Sequence, residues 1–464
     1  MSKNIGFIST RFWGTDGVTL EAGKWAEVFE NSGHQCFWFA GKLDREPAKS
    51  FLAPEAHFQN SQNIQIDKQI FGKKVRSPEA TELIHQMRMR LKIQLHQFIK
   101  QFDLDLLIAE NALSIPMHIP LGLALTETIA ETQIPTIAHH HDFTWERSRF
   151  SLNCVSEYIR MAFPPNLSCI EHVVINSTAQ EELALRTGIS SKIIPNVLDF
   201  ETPPIVNHEK VKAFRNSIGL KKNDIMILQP TRIVPRKGIE HAVALVKGLN
   251  NSRCKLVISH EAGDEGLEYL KWLSKYAKEQ KVDMRVVETK LADPFNKTIE
   301  NEKFFSLWDI YPSVDFVTYP SLCEGFGNAL LEAIYFKKPL LINRYSTYIK
   351  DIEPLGFDLA VMDGFLTQET IQQVRQILFS SKIKNDIGNK NYELAVKNFS
   401  YSNLRKKLDF ILQDIFNQDT SVLKPAPVVP DNIIYFPNSN TAANSPSLPK
   451  QKKRKLSSFL NLYF

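Results

Sequence analysis

The chain has 464 residues, 43% hydrophobic and 23% charged, with a formal net charge of +5. That balance is ordinary for a soluble globular protein and excludes a collagen, a coiled coil or a wholly disordered chain. No run of ~18 apolar residues occurs, so no transmembrane helix is expected. At about 150 residues per domain the length allows two or three domains. The opening MSKNIGFISTRFWG has too short an apolar stretch for a signal peptide, so the cytoplasm is the expected location. Five scattered cysteines with no CxxC pair point to reduced thiols rather than a disulfide framework or a zinc ribbon. Six lysines and arginines against two aspartates lie beyond Asn417, so most of the net charge belongs to a tail. No nucleic-acid surface is therefore expected.

Strands and helices alternate along the chain. Ile5–Ser9 reads as a first strand, followed by the loop Arg11-Phe-Trp-Gly-Thr-Asp-Gly17. A helix follows, with Val18, Ala22, Trp25, Ala26 and Phe29 on one face. Gln35–Ala40, Leu104–Ala109, Ile134–Ala138 and His172–Asn176 read as further strands, with helices at Pro78–Gln101 and Pro120–Thr132 between them. The rhythm restarts with strand Ile225–Gln229, helix Gly238–Leu249, strand Leu256–Ser259, helix Gly266–Gln280 and strand Met284–Val287. Asp315–Tyr319, Pro339–Ile342 and Phe357–Val361 complete the second set, and helices Asn385–Asn398 and Asn403–Phe416 follow. This predicts two α/β domains with parallel sheets, divided near the Pro-containing stretch Pro195–Asn223. The expected bounds are 1–200 and 201–400, with a disordered basic tail over 418–464. Ligands bind at the C-terminal ends of such strands.

The most informative segment is Tyr319-Pro-Ser-Leu-Cys-Glu-Gly-Phe-Gly-Asn-Ala-Leu-Leu-Glu332. A strand ends, a glycine-bearing loop follows, and a helix opens at Asn328. The first N–H groups of such a helix are unpaired and, with the helix dipole, seat a phosphate. Gly325 and Gly327 allow the backbone to approach an anion. Glu324 and Glu332 flank the seat, and carboxylates accept hydrogen bonds from hydroxyls. The combination suits a diphosphate that joins two sugars, one held by each carboxylate. Gln229-Pro-Thr-Arg-Ile-Val-Pro-Arg-Lys-Gly238 also follows a strand, and its Arg232 and Lys237 can converge on one diphosphate.

Pro-Ser-x-x-Glu-Gly-Phe-Gly with the Glu324/Glu332 spacing resembles the E-x7-E signature of the retaining family-4 glycosyltransferases, the glycosyl transferases group 1. Thr-Arg-x-x-x-x-Lys-Gly is similar to their donor-phosphate motif. Ile194-Pro-Asn-Val-Leu-Asp199 resembles their Pro-Asn-Gly-x-Asp segment, with Val197 in place of the glycine. The resemblance covers about residues 4–416 and implies a GT-B fold of two Rossmann-like domains. It implies that 1–200 is the acceptor side, that 201–400 binds a nucleotide sugar such as UDP-glucose or GDP-mannose, and that helix 403–416 returns to the first domain. It also implies retention of configuration and no cofactor or essential metal. By the same resemblance Arg232 and Lys237 hold the diphosphate, Glu332 the ribose and Glu324 the transferred sugar. The backbone of Gly325, Phe326, Gly327 and Asn328 supplies further donors. The expected catalytic set is Glu324, His141, Lys237 and Arg232.

His139-His-His-Asp142 follows a strand, where alternation sends His139 and His141 one way and His140 the other. No further cluster completes a ligand set, so a metal is not expected. His141-Asp142 resembles the family's His-Asp segment, which places His141 in the cleft. Gly14, Asp16 and Gly17 match the family's first glycine loop, although Gly-x-Gly-x-x-Gly is absent. That absence disfavours a dinucleotide oxidoreductase. The acceptor class stays open: a small molecule, a glycan or a glycolipid. Arg88, Arg90, Lys92 and Lys100 on helix Pro78–Gln101, with Lys73, Lys74 and Arg76 just before it, read as a solvated basic face, with docking on an anionic acceptor or on anionic lipid at the inner membrane face as the rival. An inactive nucleotide-sugar-binding protein is a further rival, disfavoured because Glu324 and Lys237 are both present.

Overall fold

The computed structural model describes residues 2–14, 16–259, 267–287 and 305–417. The tail expected over 418–464, and Gly266 at the start of one expected helix, lie outside them.

The first half holds strands β1 (Asn4–Ile8), β2 (Gln35–Ala40), β3 (Ser50–Leu52), β4 (Leu106–Glu110), β5 (Thr136–His140), β6 (Ile170–Val174) and β7 (Lys192–Ile193). They form one parallel sheet in the order β3-β2-β1-β4-β5-β6-β7. The second half holds β8 (Ile225–Gln229), β9 (Cys254–Ile258), β10 (Met284–Val286), β11 (Phe316–Tyr319), β12 (Leu340–Asn343) and β13 (Ala360–Met362). These are also parallel, in the order β10-β9-β8-β11-β12-β13. Strand order reverses between β1 and β4 and again between β8 and β11. Those switch points open crevices at the strands' C-terminal ends.

The central strands are buried on both faces, which is why they read as unbroken apolar runs. Helix Gly17–Asn31 buries Ala22, Trp25, Ala26 and Phe29 against β1 and β2, where Phe7 and Trp38 stack at 4.7 Å. Helix Tyr401–Asn417 joins the same cluster through Leu404, Leu408 and Ile411, spaced to share one helical face. It is tied there by Lys192–Asp414 at 2.6 Å and by a hydrogen bond from Tyr401 Oη to Glu27 at 3.0 Å. The last helix thus follows the second sheet in sequence and packs on the first.

Two of the differences from the sequence reading concern the expected linker and the expected basic face. Helix His208–Ser217 stands inside the stretch read as a linker, with Phe214 its one buried residue. Part of the basic face of helix Pro78–Phe102 is paired: Arg88 with Glu127, Arg90 with Glu55, and Lys92 with Glu127 and Glu131, while Arg76 pairs with Glu157; Lys73, Lys74 and Lys100 make no ion pair among the described residues. Charge already paired this way offers little to an anionic surface. Among the described residues no helix is long and apolar enough to cross a membrane.

Candidate active site

The loop after β8 ends in the tight turn Pro235–Lys237. Gly238 closes it at φ +59°, and a Cβ there would lie 2.5 Å from the Pro320 carbonyl oxygen, so glycine is required. The Leu322 N–H donates to the Arg236 carbonyl at 2.9 Å and joins this loop to the one after β11. Lys237 is only 8% exposed and forms an ion pair with Glu324. Arg236 Nη1 lies 3.9 Å from the other oxygen of Glu324. Burial lowers the Lys237 pKa against the pull of Glu324. The Arg232 side chain is exposed and makes no hydrogen bond or ion pair among the described residues.

The loop after β11 is held from behind. Thr347 Oγ1 donates to the Glu324 carbonyl at 3.0 Å, and Tyr345 Oη to the Phe326 carbonyl at 2.9 Å. Gly327, at φ +115°, precedes helix Asn328–Tyr335, which has no side-chain cap. Its first N–H groups are therefore left for an anion. Glu332 accepts a hydrogen bond from Tyr311 Oη at 2.9 Å, and burial pushes its carboxyl above the usual range.

The two halves meet at this loop. Asn176 Nδ2 donates to the Gly325 carbonyl at 2.7 Å, and Asn196 Nδ2 to Asn328 Oδ1 at 2.7 Å. A Cβ on Gly325 would stand 3.6 Å from the His141 carbonyl oxygen, and one on Gly17 would stand 3.8 Å from Asn328 Nδ2. His141, Gly17, Gly325 and Asn328 are thus brought together. Glu324, paired with Lys237, adjoins Gly325. Asp16 caps the first helix through Thr19 N at 3.2 Å, pairs with Arg11 at 3.1 Å, and lines a small crevice together with Arg11 and Glu110. The Gly14 N–H donates to Asp44 at 2.7 Å. Val197 is buried, its N–H donating to Glu21 at 3.1 Å and its carbonyl accepting from Lys24 at 2.6 Å.

The three histidines divide as an extended strand requires. Glu110, fully buried at the end of β4, receives both His139 Nδ1 at 3.0 Å and His141 Nε2 at 3.3 Å. Trp25 stacks on His139 at 4.2 Å. His140 faces the other way, its Nε2 lying 2.9 Å from His172 Nδ1. Burial lowers the pKa of His139, His140 and His172. At His141 burial also pulls downward, but the hydrogen bond and charge of Glu110 prevail and raise it. The two imidazoles in turn hold Glu110 well below the usual carboxylate range despite its burial. Ligand-type atoms of Glu110, His139 and His141 all lie within 4.8 Å of one another, a spacing that also admits a divalent ion. Each histidine is hydrogen-bonded to Glu110 through one ring nitrogen, while His139 Nε2 is buried with no hydrogen-bond partner among the described residues.

Glu110, Asn111 and Asn176 escaped the sequence reading as site residues, whereas Asn196 lies in the Pro-Asn segment it singled out. Asn111 Oδ1 accepts from the N–H groups of His141 at 2.9 Å and Asp142 at 3.2 Å, fixing the His-Asp segment. A carboxylate ending an apolar strand was the available signal for Glu110.

Residues 210–394 match the family Glycosyl transferases group 1. The chain is 33% identical over 379 residues to the mannosylglucosylglycerate synthase of Petrotoga mobilis, covering 76% of this chain and 85% of that one. It belongs to the group 1 glycosyltransferases. The transferase is also 30% identical over 424 residues to the mannosylglucosylglycerate synthase of Thermotoga maritima, covering 84% of this chain and 95% of that one. Its fold is similar to that of Anabaena Alr3699/HepE in complex with UDP-glucose. The TM-score is 0.62 at 12% identity, over 89% of this chain and 100% of that one. The two facing sheets of the transferase are the GT-B fold.

Proposed function

We propose that the transferase moves a hexosyl group from a nucleoside-diphosphate sugar to an acceptor hydroxyl with retention of configuration. The observation that carries this is the buried Lys237–Glu324 pair beside an uncapped helix N-terminus, with the backbone of His141, just past β5, against the same loop. Arg232, Lys237 and the N–H groups at Asn328 take the diphosphate. Their fixed positive charge stabilises it as the sugar leaves, the task a divalent ion performs elsewhere. Glu332 holds the ribose, and Glu324 and His141 the transferred sugar. None of these groups acts as a nucleophile: the departing phosphate takes the acceptor proton, and acceptor attack follows on the same face. The protein supplies position and charge. The relatives' names support a mannosyl donor and a glucosylglycerate acceptor.

A panel of nucleotide sugars tests this, by thermal shift and then by turnover with glucosylglycerate. GDP-mannose is expected to stabilise the protein and to be consumed, and consumption is expected to survive treatment with a chelator. Failure of every nucleotide sugar to bind would reject the donor assignment. Activity lost on chelation and restored by zinc would move Glu110, His139 and His141 to a metal site.

A further inference from the structure

Beside the transfer site, the first half of the transferase contains a cavity of about 290 Å³. Its walls are mainly Phe58, Phe71, Phe150 and Met117, and its polar groups are Asp67, Lys68 and Arg149. A smaller cavity of about 100 Å³ reaches Glu110, Asn111 and Arg11 and shares Phe58 and Met117 with the first. The two therefore adjoin, and Glu110, whose carboxylate holds His141, is among the residues lining the smaller one.

The shared wall is built rather than incidental. Asn63, fully buried, places its Nδ2 3.0 Å from the Phe58 carbonyl, 3.1 Å from the Met117 carbonyl and 3.4 Å from Asp67 Oδ2. Oδ1 of Asn63 and Oδ1 of Asp67 are both buried with no hydrogen-bond partner. Such atoms are rare unless something else satisfies them. Arg149 lies against the Phe150 ring at 4.5 Å and makes no hydrogen bond or ion pair among the described residues, whereas Arg147 nearby is paired with Asp142. Lys68 is likewise unpaired among them. An open, mainly apolar cavity thus carries one carboxyl, with the solvent-exposed Arg149 and Lys68 at its rim. Arg149 is solvent-exposed, so its guanidinium is open to an incoming anion. A planar carboxylate matches its guanidinium fork.

We infer that these adjoining cavities seat the acceptor, and that Arg149 receives a carboxylate at the end of the acceptor remote from the reacting hydroxyl. This rests on the proposed function and assigns the acceptor's charge to a residue. The reacting hydroxyl lies in the smaller cavity, toward His141. Acceptor hydroxyls in the larger one meet Asp67, whose carboxyl burial pushes up to about 7.

The test compares glucosylglycerate with glucosylglycerol, its uncharged counterpart, on wild type, Arg149→Ala and Arg149→Lys. Acceptor binding is read by calorimetry and turnover by nucleotide release. Wild type is expected to bind glucosylglycerate more tightly. Arg149→Ala is expected to lose about 10- to 100-fold of that preference, the usual worth of a charge-assisted hydrogen bond. Arg149→Lys should recover part of it, and thermal stabilisation by GDP-mannose should be unchanged in both variants. Equal binding of the two acceptors by wild type, or an unaltered preference in Arg149→Ala, would overturn the inference. No turnover by wild type with either acceptor, while the Arg149-dependent preference in binding holds, would reject the proposed reaction and leave the anion seat standing.

Discussion

Replacing Lys237 with alanine is expected to lower turnover roughly 100–1000-fold, the usual cost of removing one preorganised donor from a developing anion. Lys237 is nearly buried and is held by Glu324, so its charge stands fixed before the donor arrives. Negative charge on the diphosphate grows as the sugar departs. An interaction that strengthens on the way to the transition state raises kcat, not affinity alone. The substitution also strips Glu324 of its close partner and leaves Arg236 at 3.9 Å, so donor binding should weaken as well. Arg232→Ala should act in the same direction, and the double variant should fall short of the summed effects, because both cations serve one diphosphate. Steady-state kinetics, with folding checked by circular dichroism, decides the matter. A Lys237→Ala enzyme within a few-fold of wild type would remove the second sheet's loops as the donor site.

Glu110→Gln is expected to be the next most costly change, because one carboxylate serves two imidazoles. Glutamine offers one acceptor oxygen beside an NH₂ group, so one imidazole N–H loses its partner. An unsatisfied buried donor costs about 1–3 kcal/mol. A displaced His141 should lower turnover roughly 100-fold, the scale of an ångström-level misplacement. The pH dependence has a definite sign. The depressed pKa of Glu110 adds stability above the ordinary glutamate value, about 4.3, and that stability is lost as pH falls through the folded value. The raised pKa of His141 adds stability that is full below about 6.5 and is lost as pH rises through its folded value. The melting-temperature gap between wild type and variant should therefore be widest between about pH 4.5 and 6.5 and narrower at pH ~8.5. His141 should titrate at lower pH in the variant, as read by NMR. An equal gap at both pH values with an unmoved His141 would show that Glu110 does not tune it.

The second half of the candidate site could be nominated from sequence because its residues are local. Arg232, Lys237 and Gly238 stand within one loop, and Glu324 through Asn328 within another, so spacing along the chain reports position in space. Those of the first half are not. Glu110 meets His141 only because β4 lies beside β5 with Glu110 opposite His139, a register that no short motif encodes. Asn176 and Asn196 reach Gly325 and Asn328 across the two sheets, contacts separated by 149 and 132 residues. Among the strands, the apolar central ones were readable. β3 and β7, with three and two residues, are too short to show a period. Helix Ser61–Ile70, which carries Asn63 and Asp67, is polar apart from its isoleucines. Its buried positions, Asn63, Ile66 and Ile70, form a stripe too thin to read.

The stereochemistry of transfer tests the central claim most directly. The transferase is incubated with GDP-mannose, an α-linked donor, and glucosylglycerate, and the one-bond carbon–proton coupling at the new anomeric centre is read by NMR. An α-mannosyl product is the result expected of a retaining enzyme in which the departing phosphate and the incoming hydroxyl share one face. A β-mannosyl product would contradict it and would require a general base opposite the diphosphate.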